Sequence, residues 1–140
     1  IPGLKKMIGV APAIFKKKVF QKVKFDSEIT KTIDDTDFIY RLSKNTNFRI
    51  GIGTTEVSQF HFPSIKNYIK KFIWYGVGDG EFSYKHPNRA FSIIFHITIR
   101  YIFLYPLKAL LKGYLKVIPF FILQGSFRFL GLLKFYFSLK

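Results

Sequence analysis

Apolar and polar positions change rhythm repeatedly along the chain, and each change marks an element. Pro12 to Val23 places Ile14, Phe15, Val19 and Val23 on one side at helical spacing, with Lys16, Lys17 and Lys18 as a solvated run. Residues 24–33 form a polar connection. Asp34 to Leu42 then aligns Phe38, Ile39 and Leu42 on one face, which predicts a short helix opening on three carboxylates. Asn45-Thr46-Asn47 ends that helix. Phe48-Arg49-Ile50-Gly51-Ile52-Gly53 alternates with period two, which predicts one strand, or two short ones, running to His61. Ser64 suits the N-cap of a further helix to Tyr75, with Ile65, Tyr68, Ile69 and Phe72 as its apolar face. Gly76, Gly78, Gly80 and Pro87 interrupt regular structure, so residues 77–89 are expected to form a hinge.

From Ala90 the rhythm is different. Phe91 to Leu107 is apolar except for Ser92, His96, Thr98 and Arg100. It falls short of the roughly 20 residues of a clean membrane span. Its central Arg would cost about 2.5–3.5 kcal/mol in a bilayer. Leu107 to Ile118 carries Lys108, Lys112 and Lys116 four residues apart, a single cationic stripe on an otherwise apolar surface. That is the pattern of a helix lying in a membrane interface with its lysines among the headgroups. After Pro119 a second apolar run, Phe120 to Leu139, holds Arg128 and Lys134; Arg128 joins the three lysines as a candidate membrane contact. A soluble helical subdomain and a transmembrane hairpin are the competing readings. The density of Phe and Tyr between spaced cations exceeds what a monomer surface tolerates, which favours lipid.

Composition sharpens the choice of partner. The 140 residues suffice for one domain with a core, and 23 Lys+Arg against 8 Asp+Glu give a net charge of +15, which calls for an anionic partner. No acid follows Glu81, whereas cations continue to Lys140. Nucleic acid and anionic lipid both fit a basic surface, but 49% hydrophobic residues and 18 Phe tilt the balance to lipid. Trp74 and Tyr75 beside Lys70 and Lys71 offer an aromatic-basic surface. No RNP-type or helix-turn-helix pattern accompanies it, and nucleic acid is not an expected partner. The lack of cysteine removes disulfides and thiol chemistry.

The acidic stretch Asp34-Asp35-Thr36-Asp37 has two readings on its residues alone. One is capping: Asp34 or Asp35 accepts the free N–H groups of the first turn, and Asp37 sits against the positive helix end. The other is catalytic, a carboxylate kept ionised by the helix dipole beside a second acid that shapes its pKa.

Its surroundings carry a resemblance. Asp34-Asp35-Thr36-Asp37-Phe38-Ile39-Tyr40-Arg41-Leu42 resembles the "EDxDLxxRL" signature of family 2 glycosyltransferases, with Asp for the usual Glu at 34. Phe25-Asp26-Ser27-Glu28 is similar to their "GFDE" piece, with Val23-Lys24 in place of the glycines. The segment from Gly9 to Phe20 looks like their glycine-led segment and following helix. Trp74-Tyr75-Gly76 is similar to the "YG" that closes their basic helix. The stretch from Ile118 to Gly131 resembles, more weakly, the "iP..iL.G..R.lG" tail of membrane-associated members.

The resemblance implies an α/β fold. Residues 1–76 would be the C-terminal part of a GT-A nucleotide-sugar transferase domain, 77–89 a hinge, and 90–140 membrane-associating helices. The nucleotide-binding strands and the "DxD" loop of such enzymes are expected upstream, in a longer protein. It implies Asp35 as the general base of an inverting transfer, assisted by Asp34. Gly9, Val10, Ala11 and Asp37 would lie on the acceptor side, Asp37 also organising the helix start. His61 would reach a divalent metal, Mn²⁺ or Mg²⁺, held mainly by residues outside the chain. The partners implied are a nucleotide-sugar donor, a glycan or lipid-linked acceptor and an anionic membrane surface, at the cytoplasmic face of the cell membrane. A non-catalytic basic membrane-binding or scaffold protein is the rival reading.

Overall fold

A computed structural model describes residues 3–5, 13–29, 32–52 and 64–139. Gly9, Val10, Ala11 and His61 lie outside the described residues. The chain divides into two compact units, Ile1–His61 and Phe62–Lys140.

In the first unit α1 (Lys17–Lys22) and α2 (Asp34–Asn45) accompany β1 (Gly3–Lys5) and β2 (Ile50–Ile52). The strands pair antiparallel with Leu4 opposite Gly51. The core consists of Val19 and Val23 against Phe38, Ile39 and Leu42 of α2, with Phe15, Phe48 and Ile50 packed around it. Phe25 stacks on Phe38 at 4.5 Å between ring centroids, and Phe15 meets Phe38 edge-on at 5.4 Å. Such aromatic pairs add about 0.5–1.5 kcal/mol beyond the area they bury. The helix expected from Pro12 to Val23 is only six residues long. Ile14, assigned to its apolar side, is fully exposed.

The second unit is helical over most of its described residues. Its elements are α3 (Ile65–Lys85), α4 (Pro87–Phe95), a π-helical stretch (His96–Leu104), α5 (Tyr105–Leu111), a 3₁₀ turn (Leu115–Val117) and α6 (Ile118–Ser138). From α4 to α5 the winding is continuous, a rod over Pro87–Leu111. The wide π winding runs into Pro106, which has no N–H to bond Ile102 and whose ring crowds that carbonyl. Side-chain pairings fix the directions. Tyr68 meets Phe120, Gly76 meets Arg128, Gly80 meets Phe135 and Ser83 meets Tyr136, so α3 and α6 run parallel. Tyr105 against Phe121, and Ile97 with Tyr101 against Gly125, make the rod antiparallel to α6.

Three expectations need correction. The α/β GT-A fold is not what the chain forms: it is mostly helical, and its strands among the described residues are two three-residue segments in antiparallel pairing. A parallel nucleotide-binding sheet needs apolar strands alternating with crossover helices, and no such series is present among the described residues. The hinge expected at 77–89 is helical as far as Lys85, with only His86 between α3 and the Pro87 that opens α4. Gly76 and Gly80 do not break α3 because they are where α6 approaches most closely. A Cβ on Gly76 would collide with the Arg128 carbonyl, and one on Gly80 with the Phe135 ring.

The cationic helix expected over Leu107–Ile118 ends at Leu111. The Gly113 N–H bonds the Leu110 carbonyl and the Tyr114 N–H bonds the Ala109 carbonyl at 2.8 Å. Gly113 itself sits at φ 75°, open to glycine without strain. This paired C-terminal closure is a Schellman motif. Lys108, Lys112 and Lys116 are therefore not one stripe. They surround the turn between the rod and α6.

Candidate functional site

Chemistry on the first unit centres on the opening of α2. Its N-cap is Ile33, which makes no side-chain capping bond, and Asp34, Asp35 and Asp37 all fall in the first turn. Their environments differ sharply. Asp37 is fully buried and its Oδ2 accepts from Arg41 Nε at 2.6 Å, one turn on. Arg41 Nη2 also donates to the Lys24 carbonyl at 2.9 Å, which ties α2 to the preceding connection. Asp34 is exposed and Asp35 half-buried, and the Thr36 hydroxyl donates to Asp35 Oδ1 at 3.2 Å. One acid is thus committed to the fold, while two sit at the positive end of a twelve-residue helix, where the dipole favours carboxylate. Neither reads as the side-chain cap that local sequence allows. The "GFDE"-like piece forms a tight turn, with the Glu28 N–H donating to Asp26 Oδ1 at 2.9 Å.

The acceptor-side residues Gly9, Val10 and Ala11 and the metal candidate His61 fall outside the described residues, so only Asp34, Asp35 and Asp37 of the expected catalytic set are brought together. No group of three or more His, Cys, Asp or Glu that can hold a metal ion occurs among the described residues. Those residues do not make a divalent-metal site by themselves.

The second unit carries the apolar surface. The rod and the Leu115–Ser138 helix are each long and apolar enough to cross a membrane. Unlike the core helices of a soluble bundle, they leave large side chains uncovered: Phe91 is 80% exposed, Leu111 78% and Phe137 69%. Lys108, Lys112 and Lys116 are exposed at the turn between them. Arg128, expected among the headgroups, points elsewhere. Its Nε and Nη2 donate to Asp79 Oδ2 at 2.8 Å and Oδ1 at 2.7 Å, and its guanidinium lies 5.9 Å from the Tyr75 ring centroid. Burial pushes the Asp79 carboxyl above the usual carboxylate range, and the charge and hydrogen bonds of Arg128 oppose that push. A bidentate fork of this kind joins α3 to α6 at a fixed register. Sequence reading gave Asp79 no role. The only local signal was an acid within a helical period, four residues after Tyr75.

Comparison with protein-family models, with curated proteins and with solved structures finds no match to this chain.

Proposed function

We propose that the chain is the acceptor-side, membrane-associating part of an inverting glycosyltransferase. It would move a sugar from a nucleotide-diphosphate donor to a glycan or lipid-linked acceptor at the cytoplasmic face of the cell membrane. The observation that carries this reading is the division of labour among the acids of α2: Asp37 is spent on Arg41, which leaves Asp34 and Asp35 to act at the helix opening. The motif resemblance supplies the reaction class. An acceptor hydroxyl must lose its proton as it attacks the anomeric carbon, and the nucleotide diphosphate leaves from the opposite side. Asp35 takes that proton from within about 2.6–3.2 Å, while Asp34 orients the acceptor.

The membrane part of the proposal is interfacial rather than spanning. In the parallel α3–α6 pair, α3 lies beside α6 from Tyr68 to Ser83 and carries Lys66, Lys70, Lys71, Asp79, Glu81 and Lys85. An α6 that crossed the bilayer would draw those charges into hydrocarbon, at about 2.5–3.5 kcal/mol for each Lys or Asp at the centre. Arg100, exposed halfway along the rod, would add to that cost. A bundle lying in the interface keeps the charges among headgroups and water and the apolar faces of the rod and α6 in the acyl boundary.

The test is Asp35→Asn in the enzyme, assayed by transfer of labelled sugar from nucleotide-sugar donors to membrane acceptors. Transfer should fall by about 10²–10⁴-fold with donor binding nearly intact, and activity within about threefold of the parent would overturn the role of Asp35. A second reading, a non-catalytic membrane-binding protein, is favoured by one observation: the helical unit with its uncovered apolar side chains is the larger assembled part. Under that reading Asp35→Asn changes neither transfer nor membrane binding.

A further inference from the structure

Lysines from three elements meet at one end of the helical unit. The Tyr68 hydroxyl donates to the Phe120 carbonyl at 3.0 Å, which sets the first turn of α3 beside the first turn of α6. Because these helices run parallel, Lys66, Lys70 and Lys71 stand level with the start of α6. The antiparallel rod brings Lys108 to the same level through the contact of Tyr105 with Phe121. Lys112 and Lys116 lie in and just after the turn itself. At 1.5 Å per residue the six occupy roughly 15 Å along the bundle. The acids of this unit, Asp79 and Glu81, begin about two helical turns beyond Lys71. Five of the lysines are exposed, and the ammonium of Lys71 lies 5.4 Å from the ring centroids of both Trp74 and Tyr75. Between them Leu110 (54%), Leu111 (78%) and Tyr114 (63%) are exposed too.

We infer that this end is a docking surface for an anionic phospholipid bilayer, in which Lys66, Lys70 and Lys71 of α3 engage lipid phosphates together with Lys108, Lys112 and Lys116. The charge complementarity is one-sided, since among the described residues of this unit no acid stands at the level of the six cations. The exposed Leu and Tyr side chains supply the apolar contact that a soluble polyanion does not need. The inference rests on the membrane reading above and adds to it a lipid class and three residues of α3.

Flotation of the 140-residue chain with vesicles tests it, using phosphatidylcholine alone and phosphatidylcholine mixed three to one with phosphatidylglycerol. The wild type should favour the anionic vesicles. The triple variant K66Q/K70Q/K71Q should lose on the order of 100-fold in partition into them, at about fivefold per lysine, with no change on phosphatidylcholine alone. Lys134→Gln, toward the far end of α6, should change either partition by less than about twofold. If the triple variant does not retain its helical circular dichroism, Lys70→Gln alone should show the fivefold loss. An unchanged triple variant, or a Lys134→Gln loss equal to that of Lys70→Gln, overturns the lysine surface. Equal binding of wild type to both vesicles overturns the lysine surface and leaves the membrane reading standing. Binding to neither overturns both.

Discussion

Arg128 satisfies Asp79 across a sequence separation of 49 residues, and both side chains are largely out of water. Removing one partner of such a pair leaves a buried charge, so Arg128→Met should destabilise the helical unit by about 3–5 kcal/mol near neutral pH. The lone Asp79 then has a folded-state pKa above its unfolded value. The folded state binds the proton more tightly, so stability is highest below the unfolded pKa and is lost as pH rises through the folded one. Urea unfolding of Arg128→Met, followed by helical circular dichroism, should accordingly show recovery in mild acid. A loss independent of pH would mean that Asp79 is not the group left stranded. At this scale sequence was a partial guide. The motif puts Asp37 in the first turn of α2, and the structure pairs it there with Arg41, one turn on. Sequence alone puts Arg128 among headgroups, because period and composition reveal a residue's face but not a partner 49 residues away.

For elements, legibility follows locality. α2 was readable within a few residues because its apolar face and its terminating Asn45-Thr46-Asn47 are local, and the Thr46 hydroxyl does bond back to the Leu42 carbonyl at 2.7 Å. The reach of α3 beyond Tyr75 was not. Each helical Gly disfavours a helix by about 1 kcal/mol relative to Ala, and only the packing of α6 against those glycines outweighs that bias. The same geometry makes a prediction opposite to propensity. Gly131→Ala would drive a Cβ into the Ile73 carbonyl, a backbone atom that cannot turn away. It should therefore destabilise by about 1–3 kcal/mol, despite the better helix former. A thermal melt moved upward by the substitution would refute the close contact of α3 and α6. Gly113 was equally readable in principle as a helix stop. The lysines at spacing four drew the helix past it.

Taken whole, the proposed membrane association would draw on two forces with different sensitivities. Charge attraction at the lysine end is screened within about 10 Å at 0.1 M salt. Burial of Phe and Leu from the rod and α6 is not screened. High salt should release only a part of the protein from membranes, and detergent should release the remainder, as read by sedimentation. Complete release by salt alone would show that the apolar faces are covered in another way. The parallel pairing of α3 with α6 also sets an order of events during synthesis. A helix whose covering partner is made later spends the intervening time bare on the ribosome. At about 5–20 residues per second, the 49 residues between Asp79 and Arg128 amount to roughly 2–10 s. For that interval the nascent α3 shows water a half-finished face. Any nascent chain that stalls before α6 emerges is a substrate for chaperones and proteases rather than a shorter working protein.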